Sequence, residues 1–256
     1  MVLEICVDSV ESAEAAYRGS AQRLELCSNL SSGGITPSAG LIGCVRKRVP
    51  LELNLLLRPR PGDFVYTDSE IDVMRYDIAQ AKRLGADSVV FGVLDVHGDV
   101  DRARMQELVE LARPLKVTFH RAFDMTSDLF ASLDVLMQLG VDRVLTSGGG
   151  VRAIDGADTL QRLQQKAQGA ITIMPGGGIT PENILEVATR TGATEFHSGL
   201  RTRMASPVRN QKPPVFLGEA SRDVAARQEE YARFVVLDED VRRLREQLMQ
   251  LEIEQR

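Results

Sequence analysis

Two hydrophobic periods alternate along the chain: short runs with every second residue apolar, then longer stretches with an apolar residue every third or fourth position. The first is the period of a β-strand and the second that of an amphipathic helix. Strands are expected near Leu3–Asp8, Arg23–Ser28, Leu51–Arg58, Ser88–Asp95, Lys116–His120, Arg143–Ser147, Ile171–Met174 and Thr194–His197. Helices fall between them. Ser69–Leu84 puts Ile71, Met74, Ile78, Ala81 and Leu84 on one face, and Asp128–Leu139 does the same with Leu129, Leu133, Leu136 and Leu139. Gly85, Gly140 and Gly192 stand where a left-handed residue would close a helix. Thr180-Pro181-Glu182-Asn183 reads as a helix start, with a capping residue before proline. Eight strands alternating with helices predict an α/β fold with a parallel sheet. Their regular spacing, in a chain of 256 residues, predicts closure into a single-domain TIM (β/α)8 barrel rather than an open doubly wound sheet; such barrels run to about 250 residues.

The pattern changes after the eighth strand. Arg201–Gly218 is rich in Arg, Pro and polar residues and reads as a long loop. A polar helical tail is expected over Glu219–Gln255, with Val241, Leu244, Leu248 and Leu251 at 3-4-3 spacing. Its simplest role is the last barrel helix. The other role is a contact between subunits of a homo-oligomer, most simply a dimer; two heptads are too few for a coiled coil.

Strand parity sorts side chains between the helix layer and the barrel interior. Leu3, Ile5 and Val7 share one face of the first strand, so Glu4, Cys6 and Asp8 point inward. By the same rule Glu25 and Cys27, then Glu52, Asn54 and Arg58, then Thr118 and His120, then Glu195 and His197 point inward. The fourth and sixth strands are ambiguous. Barrel interiors are usually layered Val, Ile and Leu. Burying charged groups unpaired costs several kcal/mol each, so this polar set must either pair internally, for instance Glu52 with Arg58 or a neighbour, or open onto a ligand site. Sites in this fold lie at the C-terminal ends of the strands, which favours Arg58, Asp95, His120, Arg121 and His197.

The loops at that end add candidates. Thr146-Ser147-Gly148-Gly149-Gly150, Pro175-Gly176-Gly177-Gly178 and Ser198-Gly199 are glycine-rich turns whose backbone N–H groups could approach an anion. Glycine turns also serve close packing. Arg58 and Arg121 suit a carboxylate or phosphate, or else order their own loops by ion pairing. Ser147, Gly148, Gly177, Gly178, His197, Ser198 and Gly199 complete the expected anion site. His120 is the leading acid/base candidate because an ordinary imidazole titrates near neutrality; Glu4, Glu25 and Asp95 are the carboxylates that could orient it or move protons.

Composition narrows the partners. With 43% hydrophobic residues, 26% charged residues and a net charge of −5, there is core material and no basic field for nucleic acid or an anionic membrane. No apolar run reaches membrane-spanning length, and MVLEICVDSV reads as a strand rather than a secretory leader. Three cysteines at irregular spacing do not form a disulfide framework and fit a reducing cytoplasm. Cys6 and Cys27 lie at similar heights on neighbouring strands. They could be core filler, the usual fate of a buried thiol, or ligands for a soft ion such as Cu(I). Cys44 sits on the second helix, away from both.

Several motifs taken together resemble the CutC copper-homeostasis family: Leu3-Glu4-Ile5-Cys6, Leu24-Glu25-Leu26-Cys27, Gly33-Gly34-Ile35-Thr36-Pro37-Ser38, Arg58-Pro59-Arg60, Gly62-Asp63-Phe64, Gly92-Val93-Leu94-Asp95, Thr118-Phe119-His120-Arg121-Ala122-Phe123-Asp124 and Leu145-Thr146-Ser147-Gly148. The resemblance runs from the first strand to Tyr231–Val236. It implies a cytoplasmic β/α barrel with a part in copper handling, and it matches Cys6 and Cys27 to the cysteines proposed as copper ligands. Two functions therefore stand as expectations. One is Cu(I) binding or handling through Cys6 and Cys27. The other is an enzyme acting on a small anionic metabolite, phosphorylated or not, with Arg58, Arg121 and the glycine turns as binders and His120 with Glu4, Glu25 or Asp95 as proton carriers.

Overall fold

The computed structural model describes residues 1–209 and 233–254. Its eight parallel strands are β1 (Val2–Val7), β2 (Arg23–Leu26), β3 (Glu52–Leu56), β4 (Ser88–Phe91), β5 (Lys116–Phe119), β6 (Arg143–Thr146), β7 (Thr172–Pro175) and β8 (Glu195–Ser198). Consecutive strands pair in register from β1 to β7, β1 also pairs with β8, and a bridge between Gly176 and His197 joins β7 to β8. The result is a TIM barrel, as the alternating pattern predicts. Arg58, Asp95, His120 and Ser147, expected as strand ends, lie just past the last paired residues and so belong to the loops of the C-terminal mouth.

The helices are α1 (Val10–Arg18), α2 (Ala39–Arg48), α3 (Asp68–Arg83), α4 (Arg102–Ala112), α5 (Leu129–Gln138), α6 (Ala157–Ala167), α7 (Ile184–Thr191) and α8 (Asp238–Glu254). Local chemistry sets their ends. Thr67 and Glu70 form a reciprocal capping box at the start of α3, and Ile71, Met74, Ile78 and Ala81 bury its predicted face. Gly192 closes α7 in the left-handed conformation (φ 67°). The start of α7 falls at Asn183 rather than at Thr180-Pro181, because the Asn183 side chain accepts the Thr180 N–H and holds residues 180–183 in a turn.

Two apolar layers result. Leu3, Ile5, Val7, Leu53, Leu55 and Phe119 pack outward with the helices, while Cys6, Cys27, Leu56 and Val90 form a small cluster inside the barrel. The ambiguous strands are resolved: Val89, Phe91 and Val144 join the outer layer, and Val90 faces inward.

The C-terminal region differs from its expectation. Residues 202–204 form a strand, β9 (Thr202–Met204), antiparallel to β10 (Arg233–Val235), so the loop expected over Arg201–Gly218 begins with a paired edge. Of the helical tail expected over Glu219–Gln255, residues 219–232 lie outside the described residues; within the described part, Arg233–Val235 is strand and α8 begins at Asp238. Val241, Leu244, Leu248 and Leu251 are all buried, and α8 packs against α1 and α7. The apolar face is therefore occupied within the barrel's own helix layer. Contact is close: a Cβ on Gly19 would stand 2.5 Å from Val241 Cβ.

Candidate functional site

The lower part of the barrel interior is a closed ion-pair network. Arg23, 1% exposed, donates from Nε to Glu4 Oε2 at 2.6 Å and from Nη2 to Glu195 Oε2 at 2.6 Å. Arg143 donates from Nε to the same Glu195 oxygen at 2.6 Å and from Nη1 to Thr118 Oγ1 at 3.1 Å. Asn54 Nδ2 donates to Glu4 Oε2 at 2.7 Å. Two guanidinium groups thus meet two carboxylates, which is what makes these charges tolerable in the interior. Arg23 and Arg143 were not among the expected site residues. Parity carried the signal for Arg23, two positions before Glu25; the ambiguity of the sixth strand concealed Arg143. Glu52 does not pair with Arg58. They stand six positions apart, about 20 Å in extended chain, and Glu52 borders a cleft at the opposite end of the barrel with Arg46 and Lys116.

The next layer up contains the reactive side chains. His197 Nδ1 lies 2.7 Å from Glu4 Oε1 and its Nε2 lies 3.9 Å from Glu25 Oε2. The Cys6 thiol donates to Glu25 Oε2 at 3.3 Å and sits 3.7 Å from Cys27 Sγ. One donor atom each from Cys6, Glu25 and His197 fit within 4.8 Å of one another. Burial works against the Glu4 charge, but Arg23 and His197 more than offset it and hold its carboxyl well below the ordinary range. Burial raises the Glu25 pKa, against the pull of His197. Burial also opposes charge on His197, yet Glu25 and Glu4 outweigh it and the imidazole pKa is raised. The Cys6 thiol is pushed up by its contact with Cys27, by burial and by the Glu25 charge.

Above this layer opens a cavity of about 700 Å³ at the C-terminal mouth. Cys6, Glu25 and His197 line its depth; Arg58, His120, Arg121, Gly177, Gly178 and Gly199 line its sides, with Arg243 of α8 at the rim. Glu4 and Cys27 stand behind this wall, and Asp95, Ser147, Gly148 and Ser198 are not part of it.

Internal partners explain those placements. The Asp95 carboxylate accepts the N–H groups of His97 and Asp99 and folds its own turn. The glycine turn after β6 already holds an anion, the Asp124 carboxylate, which accepts the N–H groups of Ser147 and Gly149. Ser147 Oγ donates to the Gly150 carbonyl, and Ser198 Oγ donates to the Ile179 carbonyl. Gly148 (φ 70°) is glycine for packing, since a Cβ there would meet the Gly156 carbonyl at 2.5 Å. Arg121 is committed to Asp124 at 2.8 Å and to Ser147 Oγ at 2.9 Å.

Arg58 differs from Arg121. Its Nη atoms donate to the carbonyls of Ser32, Gly34 and Gly62, and its guanidinium stacks over Phe64 at 5.0 Å. Although it is 6% exposed, no carboxylate pairs with it among the described residues. His120 packs against the same ring, its centroid 4.8 Å from that of Phe64. Burial and the Arg58 charge lower its pKa to about 3, which corrects the expectation of a near-neutral imidazole. His120 is neutral at physiological pH. Its Nδ1 accepts the Ala122 N–H, so the ring proton resides on Nε2, which has no partner among the described residues.

The family model described as CutC family matches residues 1–202. The human copper homeostasis protein cutC homolog is 48% identical over 217 residues, covering 85% of this chain and 80% of its own length. A family protein CutC of Chromobacterium violaceum is 43% identical, covering 96% of this chain and 98% of its own. The crystal structure of CutC from Streptococcus agalactiae superimposes with a TM-score of 0.73 at 32% identity, covering 77% of this chain and 98% of that one. The family match stops at the first residue of β9, so the C-terminal part of the resemblance, near Tyr231–Val236, falls beyond it. On the extent of that match and the level of these identities, the chain belongs to the CutC family.

Proposed function

We propose that this copper-homeostasis family member binds Cu(I) in its barrel, at Cys6 and Cys27 with Glu25 or His197 completing the ligand set. The observation that carries this reading is the 3.7 Å separation of the two buried sulfurs, with donor atoms of Glu25 and His197 gathered on the Cys6 side of the pair. Metal–thiolate bonds of about 2.3 Å would set two sulfurs about 4.6 Å apart in a linear arrangement. The observed separation is shorter, so it suits a bent pair with room for a further ligand. His197 is arranged as metal-bound imidazoles usually are: Nδ1 engages a carboxylate, Glu4, and Nε2 faces the thiol cluster. Thiolate is a soft donor that suits Cu(I) or Zn, and imidazole accepts either; the copper-homeostasis family name is what favours copper. Binding would displace the thiol protons, and the free thiols belong in a reducing compartment, which supports a cytoplasmic location.

The test is a competition titration of Cu(I) against a chromophoric chelator under anaerobic conditions. The wild-type chain should take one equivalent, and the Cys6→Ser, Cys27→Ser double variant should lose at least about a hundredfold in affinity, since even an outer-shell partner of a metal ligand is worth about ten- to a hundredfold. Equal affinity in the two proteins sinks the reading. The enzymatic alternative loses ground at the glycine turn and Arg121, which are satisfied internally, and at His120, which is too weak a base to hold a proton near neutrality. What still speaks for a second ligand is the cavity, far larger than an ion.

A further inference from the structure

We propose that the outer part of the mouth cavity binds a small organic carboxylate with an apolar body, its carboxylate held between Arg58 and the Nε2–H of His120. This site is separate from the thiol cluster and does not depend on the copper reading. Three observations carry it. First, Arg58 is a buried cation with no carboxylate partner among the described residues, its Nη donors fixed by three backbone carbonyls. A buried guanidinium that is held rigid but not neutralised favours an anion nearby. Second, His120 carries a buried N–H donor without an acceptor among the described residues. Leaving such a donor unmade costs about 1–3 kcal/mol, which an acceptor in the cavity would recover. Third, both residues line a cavity of about 700 Å³, in the range of small-molecule sites.

The same surroundings select the ligand's class. Leu30, Leu56, Phe64, Leu145 and Ile179 line the cavity and would cover an apolar body. The formal charge offered by this pair is a single positive one, because His120 is neutral; it matches a carboxylate better than a doubly charged phosphate. The glycine turn after β6, an obvious place for phosphate, is filled by Asp124.

The test uses the full chain labelled with 15N-histidine and three probes: hexanoate, hexanamide and inorganic phosphate. Hexanoate should shift the Nε2 resonance of His120 in a saturable manner, and the amide, which has the same shape without the charge, should not. Calorimetry should show hexanoate binding about tenfold weaker to Arg58→Met, the worth of one charge-assisted contact. The labelled wild-type measurement stands even if that variant fails to fold. The proposal is overturned by an absence of saturable shift with hexanoate, by equal response to hexanamide, or by a response to phosphate alone.

Discussion

At the scale of single residues, the two interior histidines illustrate how neighbours decide charge. His197 faces two carboxylates and its pKa rises; His120 faces a guanidinium from within an apolar wall and its pKa falls to about 3. The consequence for stability has a definite sign. Between the ordinary value of 6.5 and about 3, the unfolded chain takes up a proton at His120 that the folded chain refuses, so acidification favours unfolding there. Full occupancy of that difference amounts to about 1.4 kcal/mol per pH unit. Urea unfolding of the wild type and of His120→Gln at several values from pH 7 to pH 4 should show a steeper loss for the wild type on the acid side. Parallel curves would mean that the imidazole is not held neutral. Sequence parity found Glu4, Cys6, Glu25, Cys27 and His197 as inward residues, because alternation depends only on the backbone. It could not give the protonation of Glu4, which depends on Arg23, 19 residues away along the chain, and on His197.

At the scale of elements, the β6 turn and the short 3-10 turn of Arg121–Met125 are held together by one carboxylate. Asp124 accepts the Ser147 and Gly149 N–H groups and the Thr146 hydroxyl, and also takes the Arg121 guanidinium. Asp124→Ala would leave these donors to water or to nothing, and should cost about 1–3 kcal/mol. Hydrogen exchange at Ser147 and Gly149 should accelerate in step; unchanged protection of both amides would show that the turn stands without its anion. This element also marks a limit of sequence reading. The run Ser147-Gly148-Gly149-Gly150 was legible as an anion-binding turn, and so it is, but the anion comes from the protein. Spacing alone does not separate an internal carboxylate from a ligand. The strands and most helix ends were legible because period and capping are local properties. The β9–β10 pairing was not, since it joins segments about 30 residues apart.

At the scale of the whole molecule, α8 extends the helix layer beyond the family match and sets Asp240 and Arg243 on the rim of the mouth. Its contribution to stability is that of a core element. Leu244, fully buried, should cost about 2–5 kcal/mol when replaced by Ala, whereas Met249→Ala, at an exposed position on the same helix, should stay within about 0.5 kcal/mol. Chemical denaturation of both variants separates the two; equal effects would mean that α8 is not packed as described. The ion-pair network at the other end has a different consequence. Arg23, Arg143, Glu4 and Glu195 fill the lower part of the barrel, while the cavity above them lies at the C-terminal mouth. The cavity that reaches Cys6 also has Arg58 and Phe64 in its walls, so an ion at the sulfurs and a ligand at Arg58 would share one space. A molecule lodged at the rim would act as a stopper, slowing the escape of an ion below it without touching that ion. Retention time, rather than equilibrium affinity, is then the quantity through which an outer ligand would govern an inner one.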